Sequence, residues 1–205
     1  MRSPERAGLA APDAGALLEV ARGSIEHGLA AGRALEVDPD AYPAALRAPG
    51  AAFVTLRVGG ELRGCTGELE AWRPLVASVT HHAYAAAFLD PRFAPLAPRE
   101  LGGLDLHVSV LSPLEPIDAA SETAVLAALA RGLDGLLIDD GSHRATFLPA
   151  VWASIPEAPE FLRELKQKAG LAARAWPGGM RAWRYRVQEI PDWPAQRSEE
   201  PGSAG

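Results

Sequence analysis

The sequence predicts an α+β fold, in which antiparallel sheet built from hairpins is covered by helices. Two tight-turn signals, Gly59-Gly60 and Asp140-Gly141, each separate short strand-like runs. Segments with apolar residues at helical spacing lie between and beyond these hairpins. The regular strand-helix-strand alternation of a doubly wound fold is absent, so helices on an antiparallel sheet remain.

Helical spacing starts near Ala14 with Leu17, Leu18, Ala21, Ile25 and Leu29, and Gly32 stops it. A turn-rich stretch from Asp38 to Gly50 leads into strand-like runs over 53–58 and 61–67. Pro74 suits a helix first turn, and Leu75, Val79, Ala83, Ala86 and Ala87 carry the helix to Phe88 before Asp90-Pro91 breaks it. Leu104, Leu106, Val108 and Val110 alternate with Asp105, His107 and Ser109, predicting a strand with one buried and one polar face. A helix over about 122–131 precedes the second hairpin, 136–139 with 144–148. Helical segments then cover about 149–155 and 159–169, the latter stopped by Gly170, and one last strand falls within 180–190. Residues 1–13 and 195–205 read as disordered tails around a single domain, 14–194.

The chain has 205 residues, 48% of them hydrophobic, enough for a sizeable core. Its net charge is -6 and its basic residues are scattered singly, so it offers no basic face to a nucleic acid. No run of about 18 apolar residues could span a bilayer, and the first residues lack a signal-peptide core. With Cys65 the only cysteine, no internal disulfide and no cysteine-only metal site can form, and a reducing cytoplasm is the expected location. The five histidines, His27, His81, His82, His107 and His143, form no metal-binding spacing, so neither metal nor cofactor is expected.

Counting outward from a two-residue turn at Gly59-Gly60 pairs Val58 with Glu61, Leu56 with Arg63 and Val54 with Cys65, and sets Gly64 opposite Thr55. Arg63 and Cys65 then share a face, where a guanidinium converging on a thiol favours the reactive anion. Val54, Leu56 and Val58 share that face too, so a core role for Cys65 stands beside the chemical one. An arginine there needs a carboxylate, with Asp90 and Glu70 as candidates and Glu68 also near in sequence. Gly64 and Gly67 bracket the cysteine and leave room for a backbone or a ligand.

Leu62-Arg63-Gly64-Cys65-Thr66-Gly67 resembles the signature of the AmmeMemoRadiSam system protein A family, with Thr66 where isoleucine is usual. The resemblance extends to Ala87-Phe88-Leu89-Asp90-Pro91-Arg92-Phe93, Val108-Ser109-Val110-Leu111-Ser112, Thr146-Phe147-Leu148-Pro149-Ala150-Val151-Trp152 and Lys168-Ala169-Gly170-Leu171, covering roughly residues 14 to 190. It implies an α+β fold with a larger and a smaller lobe, and association with a Memo-like protein and a radical-SAM protein. It carries no assigned reaction. A radical-SAM cluster would need three thiolates, so any radical chemistry would belong to the partner.

The leading expectation is therefore an enzyme or enzyme subunit working on a small-molecule or protein substrate. Cys65 would be its nucleophile, Arg63 would hold an anion or steady the thiolate, and His107 would be a base. Gly64, Gly67, Glu70, Asp90 and Arg92 would surround the substrate. A noncatalytic binding or adaptor module is the alternative. Asp90-Pro91-Arg92-Phe93 also reads simply as a helix exit, Lys166 and Lys168 as a solvated helix end, and the five tryptophans as packing residues.

Overall fold

In the computed structural model, which describes residues 8–192, the chain is α+β and divides into two units. The larger comprises residues 8–110 with 189–192, and the smaller residues 111–188. The larger begins with α1 (Ala11–Ala31) and short helix α2 (Ala44–Arg47), then β1 (Ala51–Val58), β2 (Glu61–Gly67), α3 (Leu75–Phe88) and β3 (Leu104–Leu111). The smaller holds β4 (Glu115–Ile117), α4 (Glu122–Ala128), β5 (Gly135–Asp139), β6 (Arg144–Phe147), α5 (Ala158–Lys168) and β7 (Arg181–Tyr185). Strand β8 (Val187–Pro191) returns to the first sheet, whose order is β2-β1-β3-β8; the second runs β4-β7-β5-β6.

The expected helix at Ala14 starts earlier, at Ala11, because Pro12 sits in its first turn, where a missing N–H costs nothing. The rest of the expected tails, residues 1–7 and 195–205, lies outside the described residues. Gly32 ends the helix in the left-handed conformation, φ 70°, as a stop signal should. The single strand expected over 180–190 is two, β7 and β8, in different sheets, a change hidden by alternation that continues through Trp183, Tyr185 and Val187. The second hairpin pairs Asp139 with Arg144, so its loop is Asp140 to His143, as the expected strand bounds require.

One face of the first sheet carries the larger unit's core. Val54 and Leu56 from β1 and Leu106 and Val108 from β3 pack with Leu17, Ala21 and Ile25 of α1 and Val76, Val79 and Ala83 of α3. Each fully buried Leu, Ile or Val contributes about 1.5–3 kcal/mol relative to exposure. The two helices approach closely at Gly28, where a Cβ would lie 2.4 Å from the Phe88 ring, and Ser24 Oγ donates to Thr80 O at 2.8 Å across the contact. In the smaller unit Leu136, Ile138, Phe161, Leu162 and Leu165 form the core, with Trp152 stacked on Phe161 at 3.8 Å.

Lys166 is not a solvated helix end but fully buried. It lies four residues after Leu162, on the apolar face of α5, and its Nζ pairs with Glu122 and donates to Ala173 O at 2.6 Å. Of the tryptophans, Trp152 is core, Trp176 and Trp183 are half-buried, Trp193 lies outside the described residues, and Trp72 is 66% exposed rather than packed. No described helix is long and apolar enough to cross a membrane.

Candidate functional site

The hairpin around the cysteine forms as the turn signal requires. Gly59 and Gly60 take φ 59° and 84°, the double positive φ of a primed turn, and Val58 faces Glu61. Two residues on, the register shifts. Arg57 faces Leu62, but Leu56 faces Gly64, Thr55 faces Cys65 and Val54 faces Thr66. Arg63 is the extra residue of a β-bulge, so the expected pairs Leu56 with Arg63, Val54 with Cys65 and Thr55 with Gly64 do not occur.

One inserted residue exchanges the faces of everything beyond it. Cys65 therefore leaves the aliphatic face of Val54 and Leu56 and stands with Thr55 on the other side, half-buried, its Sγ accepting from the Thr55 hydroxyl at 3.4 Å. Gly64 takes the core-facing place, where a Cβ would sit 2.0 Å from the Ala86 carbonyl oxygen of α3. Gly64 is thus a close-approach residue between strand and helix rather than a ligand contact. At Gly67 a Cβ would fall 2.3 Å from the Phe53 ring, so this glycine likewise admits a neighbouring side chain.

β2 is an edge strand, and its outward groups at Cys65 are covered by the exit of α3. Asp90 Oδ2 accepts the Cys65 N–H at 2.9 Å, and Arg92 Nη2 donates to the Cys65 carbonyl at 3.4 Å. Asp90 and Arg92 lock each other through Nε to Oδ1 at 2.9 Å and Nη2 to Oδ2 at 2.7 Å, while Arg92 N–H donates to Asp90 Oδ1 at 3.1 Å across Pro91. This is the Asx turn that Asp-Pro favours. The Arg92 bonds, against an opposing effect of burial, hold the Asp90 carboxyl well below the usual range, with the Cys65 N–H adding to the effect. Asp90 raises the pKa of Arg92 in turn, with a smaller favourable contribution from Cys65.

Arg63 does not pair with Asp90 or Glu70. Its carboxylate is Glu100, held side-on by Nε at 2.7 Å and Nη2 at 3.2 Å. Asp90 is already saturated by Arg92 and Cys65, which leaves it no lone pair for a second guanidinium. Glu100 Oε2 also accepts the Ala97 N–H at 2.8 Å, and these bonds, led by that from Arg63, lower its pKa to about 2. Its sequence signal is a glutamate three residues after a helix-start position followed by proline, Ala97-Pro98. Phe93 joins the two ion pairs, its ring centroid 6.0 Å from the Arg63 guanidinium carbon and 5.4 Å from that of Arg92.

His107 is not brought to the cysteine. β1 lies between β2 and β3, which sets His107 about 10 Å or more from Cys65 at normal strand spacing. It pairs instead with Glu189 of β8 at 2.7 Å, and the same carboxylate oxygen accepts from Ser109 at 2.6 Å. A second polar cluster, unforeseen in the sequence, lies on the α3 side of the hairpin. Glu68 accepts from Ser78 at 2.6 Å, with Arg73 Nε 3.4 Å and His82 Nε2 3.7 Å away. Both His82 ring nitrogens are buried without a hydrogen-bond partner among the described residues, and burial lowers its pKa to about 4 against the opposing pull of Glu68. Among the described residues no three His, Cys, Asp or Glu side chains gather as a metal site.

Proteins of Methanothermobacter thermautotrophicus and Thermofilum pendens are 39% and 37% identical to the chain, over 76% and 88% of it and 81% and 90% of their own lengths. The crystal structure of PH0010 from Pyrococcus horikoshii superposes with a TM-score of 0.78 at 30% identity, covering 88% of this chain and 92% of that one. The AMMECR1 family model matches residues 18–190, which span α1 from its second turn, the Cys65 hairpin, the Asp90 exit and both sheets, and the chain belongs to the AMMECR1 family.

Proposed function

We propose that the Arg63-Gly64-Cys65 hairpin is the working element of an enzyme or enzyme subunit that acts with Memo-like and radical-SAM partners in the cytoplasm. One observation carries this reading. The bulge at Arg63 turns the chain's sole thiol out of the aliphatic core, beside Thr55 and against an ordered Asp90–Arg92 pair. A cysteine kept only for packing gains nothing from a residue inserted to remove it from the core. The nucleophile in this reading is Cys65. His107 is occupied by Glu189 and stands too far to serve it as a base, and the Asp90 and Glu100 carboxylates are held ionised as positioning groups.

The experiment is alkylation of Cys65 by iodoacetamide at neutral pH. A rate well above that of a neutral model thiol, slowed in Arg92→Gln, supports the reading, because the guanidinium beside Cys65 favours its thiolate. A rate equal to the model thiol would return the hairpin to a noncatalytic docking role. For the partners, co-purification of tagged chain with Memo-like and radical-SAM proteins expressed together is the expected result, and loss of either from the eluate would sink that part.

A further inference from the structure

Arg63 and Arg92 bind their carboxylates in the same way. Each guanidinium uses its Nε and Nη2 edge on one carboxylate, Arg63 on Glu100 and Arg92 on Asp90. A guanidinium has five N–H donors, so this side-on mode leaves the two on Nη1 for another acceptor. Among the described residues neither Nη1 has a partner: that of Arg63 is buried and unsatisfied, and none of the bonds of Arg92 uses its Nη1. The Arg92 side chain is 55% exposed, whereas its partner Asp90 is almost wholly buried, so the open part of the pair is the cation. Both guanidinium carbons lie within 6.0 Å of the centroid of Phe93, and Arg92 touches the backbone of Cys65.

We propose that Arg92 and Arg63, joined across Phe93, form an oxyanion subsite beside Cys65, so that the substrate of this site is a small anion carrying a carboxylate or phosphate group. The proposal rests on the reading of Cys65 as the working thiol and adds the substrate class. Physical support comes from pre-organisation. Asp90 and Glu100 fix both side chains, so an incoming anion orders neither arginine, and planar forks suit carboxylate and phosphate oxygens. Arg92 is the residue an anion reaches first. Arg63 lies deeper, and its unpaired Nη1 is the buried polar group that an oxyanion would satisfy.

Paired alkylating agents test this directly, because iodoacetate and iodoacetamide differ chiefly in charge. The ratio of their rates at Cys65 is compared with that of a neutral model thiol in the same low-salt buffer. The expected ratio is several-fold above the model value, falls to it in Arg92→Gln, and is suppressed by added inorganic phosphate or acetate. Stronger protection by one of these two anions identifies the group the site prefers. A ratio at or below the model value, or one unchanged in Arg92→Gln, overturns the proposal. Should Cys65 prove unreactive, phosphate titration of Cys65→Ser by calorimetry decides, with binding expected there and absent when Arg92→Gln is added. Slow alkylation by both agents with a raised ratio would discard the reactive thiol and keep the subsite.

Discussion

The Cys65 backbone N–H donates to Oδ2 of Asp90 at 2.9 Å, which fixes the cysteine's edge of the hairpin to the exit of α3. The bond runs from a strand edge to a carboxylate already oriented by Arg92, so the loop and the strand hold each other. Asp90→Asn keeps the shape but replaces one acceptor oxygen with a donor facing N–H groups. It should cost about 2 kcal/mol, seen as a lower urea midpoint with unchanged slope. Arg92→Gln should cost less, and the double variant little more than Asp90→Asn, because the pair acts as one unit. Additive losses would show that Asp90 and Arg92 stabilise the loop independently.

Gly64 separates packing from chemistry. A Cβ there would overlap the Ala86 carbonyl, which belongs to the last turn of α3, on a residue that is itself buried in the core and cannot move cheaply. Gly64→Ala should therefore destabilise by about 3 kcal/mol or more, despite alanine's modest size. A melting temperature within a degree or two of wild type would mean that β2 can withdraw from α3.

Acid should weaken the fold in two stages. His82 is the first, since burial depresses its pKa to about 4, below the ordinary histidine value of about 6.5. The unfolded chain then takes up a proton between those values while the folded one does not. Stability is full above about pH 6.5 and falls as the pH drops toward 4, by on the order of 2 kcal/mol. Asp90 and Glu100 act next, because both are depressed carboxylates, Glu100 to about 2. Their contribution is present above the ordinary carboxylate range and is lost as pH falls toward 2. His82→Phe should flatten the first stage and spare the second, since no hydrogen bond of the ring is lost. Denaturant titrations at several pH values read both, and an unchanged first stage in His82→Phe would assign it elsewhere.

Most of the architecture was legible because it rests on local rules. The Gly59-Gly60 turn, the Gly32 and Gly170 stops, and the alternation of β3 each depend on a few neighbouring residues. The site was less legible because its decisive feature is one inserted residue. A bulge at Arg63 leaves no mark in the alternation of β2, where Glu61, Arg63 and Cys65 still alternate with Leu62 and Gly64. Only the tertiary demands reveal it: Gly64 must meet Ala86, and Arg63 must reach Glu100, 37 residues away. Lys166 reads as solvated for a related reason, since its charge suggests solvent while its spacing from Leu162 places it inside. The identity of the acidic partner of Arg63 could not follow from proximity in sequence, as Asp90 was closer but already consumed.

The register itself can be tested by a cross-strand disulfide. Both backbone groups of Cys65 face outward, its N–H to Asp90 and its carbonyl to Arg92, so Thr55 and Cys65 form a non-hydrogen-bonded pair. Such pairs bring their Cα atoms to about 4.5 Å with side chains on one face, within the roughly 4.4–6.8 Å that a disulfide tolerates. Thr55→Cys should thus oxidise readily to an intramolecular bridge with Cys65, read as loss of two free thiols in intact monomer. Val54→Cys should not, because Val54 faces Thr66 and points its side chain into the core. An uninterrupted two-residue hairpin reverses the expectation, pairing position 54 with Cys65 and turning position 55 away. Bridge formation by Val54→Cys and not by Thr55→Cys would remove the bulge, and with it the argument that Cys65 stands outside the core.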